Sequence, residues 1–297
     1  MELPAAAGTD MEGLPLVNPG AFEAIDERLV STLDDLLDQQ SLAPGIVVNA
    51  LFNRLVTAVL SVPESAADTV LAALPPSRSP AVFRAVASAG EHALERVWAH
   101  QISRAADPAE TFARFPYREN YRLLVEMELT AVRRQGTAPR HVLLLGSGPL
   151  PLTALCLADQ GVAVHCVDHD AEAIRLSSAA FGRLGASGVT FEHAEAAAAT
   201  PPRPVDVVLL AGLVGADDAA KAAVLDQAVT HLAPRGLVLA RSARGLRTLL
   251  YPRVGPEALA GLTVVAEANP EVDAPGTDVI NSAILARPTA PGRAPRP

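Results

Sequence analysis

The chain has 297 residues, 49 % of them hydrophobic, and its 33 acids against 24 bases give a formal net charge of −9. That length holds two domains or one large one, and that apolar share is ample for a buried core. The acidic balance, with no basic stretch, excludes a nucleic-acid surface, because nothing would neutralise phosphates. The two cysteines, Cys156 and Cys166, fall in apolar surroundings and read as small core residues, too few for a disulfide framework or a zinc site. No apolar run is long enough to span a bilayer, and the N-terminus lacks a basic region followed by an apolar core. A soluble, reduced, cytoplasmic protein is expected, with small-molecule partners, no membrane and no bound metal; a homodimer is open as its assembly.

Residues 1–19 are rich in Ala, Gly and Pro and read as loose. Apolar residues then recur at helical spacing: Phe22, Ile25, Leu29, Leu33, Leu36 and Leu37 share one face, with acids opposite. Pro44-Gly45 breaks the pattern, and further helices are expected over 46–60, 65–74 and 81–103. Asp107-Pro108 starts a short helix to Arg114, and Pro116 opens another over 117–134. No β-pattern precedes 140, so residues 1–136 are expected to form an all-helical domain.

The second half alternates. Strands are expected near 141–145, 163–167, 188–192, 205–210, 236–241, 262–267 and 278–286, and helices near 151–160, 171–184 and 217–232. This predicts an α/β fold, a Rossmann-like domain over 137–287 with a mostly parallel, doubly wound sheet and one strand antiparallel at its edge. Residues 288–297 read as a disordered tail.

The first βα turn carries the chemistry. An apolar strand ending at Leu145 breaks into Gly146-Ser147-Gly148, two prolines lead into a helix, and the next strand ends in Asp168. Glycines let a ligand approach the backbone, a helix N-terminus offers unpaired N–H groups, and a carboxylate can accept hydrogen bonds from two ribose hydroxyls. The third glycine of a dinucleotide fingerprint is missing, and no GK[ST] follows, which excludes a P-loop. S-adenosylmethionine, with a ribose but no pyrophosphate, fits better than NAD. Asp170 is the expected N-cap of the next helix, Asp206 a turn residue, and His193 and Glu195 lie where an adenine amino group would be read.

Five blocks in order resemble the nicotianamine synthase family, of the bacterial type linked to opine metallophores. They are Glu91-His-Ala-Leu-Glu95, Phe115-Pro-Tyr-Arg-Glu-Asn-Tyr121, Gly146-Ser-Gly-Pro-Leu-Pro-Leu-Thr153, the stretch 205–215 containing Ala211, and Arg241-Ser-Ala-Arg-Gly-Leu-Arg-Thr-Leu-Leu-Tyr-Pro252; the final strand, with Val279-Ile-Asn-Ser-Ala-Ile-Leu-Ala-Arg287, is similar too. The resemblance implies a helical domain packed on a class I methyltransferase-like domain. It also implies attack by an amine on the γ-carbon of S-adenosylmethionine, moving a 3-amino-3-carboxypropyl group and releasing 5′-methylthioadenosine. Plant members repeat the step and close an azetidine ring; bacterial relatives typically transfer once, onto an amino acid such as histidine.

By the same resemblance Glu91 is the candidate base and Tyr117 the active-site tyrosine. Gly146, Ser147, Gly148, Asp168, Glu195 and Ala211 are the candidate donor site. Tyr121, Arg241, Ser242, Arg247 and Tyr251 are the candidate substrate site, with one arginine expected to pair with a carboxylate. Glu95, one helical turn beyond Glu91, and His92 and His100 read as a solvated face. Two departures are visible: Ala87-Ser-Ala-Gly90 lacks the cysteine and first acid common in plant members, and Arg244 stands where many members carry histidine. Both are expected near the acceptor pocket. On the residues alone three other functions stay open. They are closure of the donor's own amine to azetidine-2-carboxylate, ordinary methyl transfer, and a binding module without chemistry.

Overall fold

The computed structural model describes residues 20–270 and 279–289; the loose start expected at 1–19, residue 278 of the last expected strand, and the tail from 290 lie outside them. Six α-helices come first: α1 (Gly20–Leu37), α2 (Ile46–Leu60), α3 (Glu64–Ala73), α4 (Pro80–Arg104), α5 (Pro108–Ala113) and α6 (Arg118–Arg134). Then β1 (His141–Leu145), α7 (Leu152–Ala158), β2 (Ala163–Asp168), α8 (Ala171–Leu184), β3 (Val189–His193), β4 (Val205–Leu210) and α9 (Asp218–Ala228) alternate. The chain closes with β5 (Leu232–Ser242), β6 (Leu262–Ala268) and β7 (Ser282–Pro288). Among the described residues no single helix is long and apolar enough to cross a membrane.

The seven strands form one sheet in the order β3-β2-β1-β4-β5-β7-β6. β1 to β5 pair in parallel, whereas β7 runs antiparallel to both β5 and β6. The antiparallel strand is therefore inside the sheet, not at its edge as the sequence suggested. β6 takes the edge, and β7 fills the gap by a return that the sequence pattern does not specify. β5 also starts earlier than expected, because α9 ends at Ala228 and a 3₁₀ turn (Val229–His231) leads straight into the strand.

Both faces of the sheet are covered, which explains why its strands read as nearly continuous apolar runs. Val142, Leu144, Val164, Cys166, Val207 and Leu209 pack on one side with Val125, Leu129 and Val132 of α6. Leu143, Leu145, Val208 and Leu210 pack on the other with Leu225 and Ala228 of α9. In the helical layer, Val48, Leu51, Leu55, Ala58 and Val59 make the buried stripe of α2. Burying each large aliphatic side chain there contributes about 1.5–3 kcal/mol. That helical core is completed by Leu246, Leu249 and Leu250 from the second half of the chain.

α4 joins the two layers. Its first half buries Phe83 and Val86 in the helical core, and its second half buries Ala99 and Ile102 beside Leu176 and Ala180 of α8. Its middle turn, with Gly90, Glu91 and Glu95, is thereby carried past the carboxyl ends of the strands. Two further polar contacts set the frame. Asp206, expected as a turn residue, instead accepts the N–H groups of Arg140 (2.7 Å) and His141 (3.0 Å), bracing the start of β1. Glu128 of α6 accepts two hydrogen bonds from the Arg241 guanidinium at the end of β5, at 2.7 and 3.0 Å, with both residues buried.

Removing one partner of a buried ion pair strands the other charge, whereas replacing both can be nearly neutral. Glu128→Ala is therefore expected to destabilise the fold by about 3–5 kcal/mol, and Glu128→Leu combined with Arg241→Met by much less. Chemical denaturation of both variants checks this; equal losses would show that packing, not the unpaired charge, carries the effect.

Candidate active site

The carboxyl ends of β1, β2 and β4 open onto a cavity of about 1040 Å³. Gly146, Ser147 and Gly148 form its floor, Asp168 and Asp170 one wall, His193, Glu195 and Ala196 a second, and Ala211 to Gly215 a third. Gly146 and Gly148 both take the left-handed conformation, at φ +78° and +71°. A Cβ at 146 would overlap Val214, and one at 148 would come within 2.6 Å of Glu95 Oε2. Conformation and space both require glycine at these two positions.

The amides of the glycine turn are engaged within the fold: Gly146 and Ser147 donate to Val167 O at 2.9 and 3.1 Å, and Gly148 donates to Asp168 Oδ2 at 2.8 Å. The turn thereby fastens β1 to the end of β2, while its two glycines leave the space above it free of side chains. Asp168 is 8 % exposed, with its other oxygen accepting Asp170 N–H at 2.9 Å, so its orientation is fixed before any hydroxyl arrives. Asp170 caps α8 as expected, accepting Glu172 N–H at 2.8 Å. The same residue lies 3.7 Å from His92 Nε2, which places His92 in the cavity wall and not on an open face.

A second, largely apolar cavity of about 390 Å³ lies between α2, α4 and the start of α6. Val48, Phe52, Val56, Trp98, Phe115 and Tyr117 are among its lining. Trp98, Phe115 and Tyr117 pack edge to face, with ring centroids 5.5 and 6.2 Å apart. Glu91, Glu95, Tyr121, Tyr251 and Asn281 line both cavities and form the partition between them.

At that partition the Glu91 carboxylate accepts a hydrogen bond from Tyr121 Oη at 2.9 Å and another from Tyr251 Oη at 2.7 Å. Burial first, and then the Glu91 charge, push both phenols well above their ordinary pKa, so they stay protonated as donors. Glu95 lies one turn further along α4 and is 9 % exposed. Burial first and the neighbouring Glu91 next push its pKa well up, with Asp168 adding to the rise; a hydrogen bond from Leu150 N–H opposes it. One helical turn therefore presents two carboxyl groups of different character: Glu91, bound by two hydroxyls, and Glu95, whose burial favours its protonated form.

The structure brings Glu91, Tyr117, Tyr121, Tyr251, Arg241, Asp168, Glu195 and Ala211 to these two cavities. It does not bring Ser242 or Arg247. Ser242 is 2 % exposed and its Oγ accepts Val254 N–H at 2.9 Å, an internal brace at the end of β5. Arg247 sits on the 3₁₀ turn Gly245–Leu249, which packs in the helical core, and Glu64 of α3 is the charge acting on it. Arg241 does reach the larger cavity, but Glu128 engages two of its nitrogens. Burial alone would lower its pKa, and the Glu128 carboxylate more than offsets this.

Of the two departures noted above, only one touches the site. Ala87 and Gly90 line the apolar cavity, and a Cβ at 90 would overlap the Phe52 ring. Arg244 instead makes surface ion pairs with Glu64 (3.0 Å) and Glu267 (3.6 Å). Sequence reasoning set Glu95 aside and missed Asn281 and Lys221. Lys221 is 1 % exposed, and its ammonium donates to Gly212 O and Val214 O, holding the loop after β4. A lysine within a mixed helix face gives no sign of this. Asn281, a polar residue ahead of the apolar run of β7, was the one visible hint.

A family model described as nicotianamine synthase protein matches residues 21–291. The chain belongs to the nicotianamine synthase family. Nicotianamine synthase 1 of Oryza sativa subsp. indica is 35 % identical over 276 residues, covering 89 % of this chain and 81 % of the relative. Nicotianamine synthase of Solanum lycopersicum is 30 % identical over 268 residues, covering 88 % and 82 %. The solved structure of MtNAS in complex with MTA and tNA is 19 % identical, with a TM-score of 0.73 over 91 % of this chain and 97 % of that one. A glutamate-to-glutamine mutant of MtNAS in complex with S-adenosylmethionine gives a TM-score of 0.75, also at 19 % identity, over 89 % and 97 %. At that identity the likeness establishes the fold. Family membership makes the chain a transferase that uses S-adenosylmethionine as the donor of a 3-amino-3-carboxypropyl group.

Because Glu95 keeps its proton in the fold at a pH where the unfolded chain releases it, its contribution to stability is complete below the ordinary carboxylate pKa. That contribution is lost as pH rises through the raised folded value. Glu95→Gln, which keeps the Leu150 N–H acceptor but cannot ionise, is expected to gain melting temperature relative to the parent from about pH 4 upward. Calorimetry across that range tests it, and a gap independent of pH would refute the raised pKa.

Proposed function

We propose that the chain transfers the 3-amino-3-carboxypropyl group to the α-amine of an amino acid whose side chain occupies the apolar cavity, and that Glu91 is the base. The observation that carries this reading is the shared partition: the Glu91 carboxylate lines both the larger cavity and a separate apolar cavity. An enzyme that only cyclised its donor would not need the second cavity in this position; methyl transfer would use one too, and it is the family match that weighs against it.

The residues of the larger cavity fit the donor. The turn at 146–148, with glycine at its first and last positions, leaves room for it, Asp168 is set for ribose hydroxyls, and Ser147 Oγ is a buried hydroxyl without a partner. Bound there, S-adenosylmethionine supplies a γ-carbon attached to a sulfonium leaving group. The chain itself must then align an amine with that carbon, take a proton from the amine and exclude water. Glu91 is held for proton removal: Tyr121 and Tyr251 fix its two oxygens, and each oxygen keeps a second lone pair. Burial that favours the protonated form of Glu95 lessens the negative charge beside the incoming ammonium. The edge-to-face group of Trp98, Phe115 and Tyr117 offers an apolar, aromatic surface for the acceptor's side chain. Tyr117 would contact the acceptor from that surface. The product is then a nicotianamine-like metallophore or its precursor.

Incubation of the protein with S-adenosylmethionine and a panel of amino acids, followed by chromatography of the released nucleoside, tests the reading. 5′-Methylthioadenosine is expected only when an amino acid is present. Its release from the donor alone would indicate ring closure by the donor's own amine or condensation of one donor molecule with another, and S-adenosylhomocysteine would indicate methyl transfer; any of these would overturn the proposal. Glu91→Gln is expected to bind the donor and to lose at least about a hundredfold in kcat, the scale of general-base catalysis.

A further inference from the structure

Among the described residues three buried polar atoms have no hydrogen-bond partner: Ser147 Oγ, Arg247 Nε and Asn281 Nδ2. Ser147 belongs to the glycine turn already described, and Arg247 lines neither cavity. Asn281 is 7 % exposed, directly precedes β7 and lines both cavities at once. A buried amide donor without an acceptor is costly, so its position at a cavity wall points to an acceptor supplied by a ligand.

Its neighbours narrow the kind of acceptor. Arg241 pairs with Ala283 in the β5–β7 register, so Asn281, two residues before Ala283, reaches the same end of the sheet as Arg241. The two strands therefore present an amide donor and a guanidinium there, while α4 presents Glu91 and Glu95 from the other layer. That division of donors and carboxyl groups complements an α-amino acid, whose carboxylate needs donors and whose ammonium needs acceptors. The loop after β4, a wall of the donor cavity, approaches closely at Gly212, where a Cβ would lie 3.4 Å from Asn281 Nδ2 and 3.1 Å from Tyr251. Glycine at 212 leaves no side chain packed over the buried amide on that side.

We infer that Asn281 binds the carboxylate of the donor's 3-amino-3-carboxypropyl group, its Nδ2–H donating to a carboxylate oxygen. This rests on the donor-site reading above and deepens it: Asn281 selects for an intact amino-acid tail and fixes the direction in which the γ-carbon faces the partition. The donor's carboxylate is preferred to the acceptor's because the amide packs against the loop that walls the donor cavity.

Calorimetric titration of the full-length parent, Asn281→Ala and Asn281→Ser with three ligands tests this. The ligands are S-adenosylmethionine, its decarboxylated analogue and 5′-methylthioadenosine, which lacks the whole tail. Asn281→Ala is expected to bind S-adenosylmethionine about ten- to a hundredfold more weakly, the scale of a lost hydrogen bond to a charged group. Its affinity for the two ligands without a carboxylate should not change, which also shows that the variant is folded. If the alanine variant does not fold, the serine variant is judged by the same selective loss. An unchanged affinity for S-adenosylmethionine, or an equal loss for all three ligands, overturns the inference alone. A parent protein that binds neither S-adenosylmethionine nor 5′-methylthioadenosine overturns the donor-site reading and this inference together.

Discussion

The site depends on one hydrogen-bonded group, the Glu91 carboxylate held by Tyr121 and Tyr251. Its three members come from the middle of α4, the first turns of α6 and the segment after β5. Closing that triangle brings the helical layer, the helix on the sheet and the C-terminal half to a single point. In a buried setting the two phenols do more than orient the acid. They supply the hydrogen bonds that a buried carboxyl group would otherwise lack.

The surrounding frame supports this point by rigid means. The glycine turn spends its amides on the end of β2, so Asp168 is tied in place through Gly148 and Asp170. The Glu128–Arg241 pair fixes α6 to the end of β5, and thereby sets where Tyr121 stands relative to Tyr251. Lys221 fastens the loop after β4. Each brace is a polar group placed at the rim of an apolar core, where geometry is directional and packing alone would not specify position.

The apolar cavity is where members of such a family can diverge. Phe52 lies against α4 only because residue 90 is glycine; a side chain there would displace the ring and change the space available beside Glu91. In the proposed reading the chemistry and the acceptor are set by different residues: the partition takes the proton, and the helical layer shapes what is admitted.

The order of helices and strands was legible in the sequence because periodicity and breakers are local. α2 shows its buried stripe, Pro and Gly mark its ends, and β1, β2 and β4 read as apolar runs because both faces of the sheet are covered. The glycine turn and Asp168 were legible for the same reason, and the family blocks pointed to Glu91, Tyr117 and Tyr121. What the sequence could not decide is how side chains far apart in the chain divide their partners. Arg241 and Arg247 look alike as carboxylate ligands, but only the fold sets Glu128 against the first and packs the turn that carries the second on the helical core, away from both cavities. Glu95 looks like a solvated neighbour of Glu91 until α4 is laid across Gly148. Asn281 acquires meaning only when β7 enters the sheet between β5 and β6. Local pattern determines which elements form, because backbone hydrogen bonding and burial repeat with the residue spacing; pairing, protonation and vacancy at a site are set by distance in space, which that spacing does not encode.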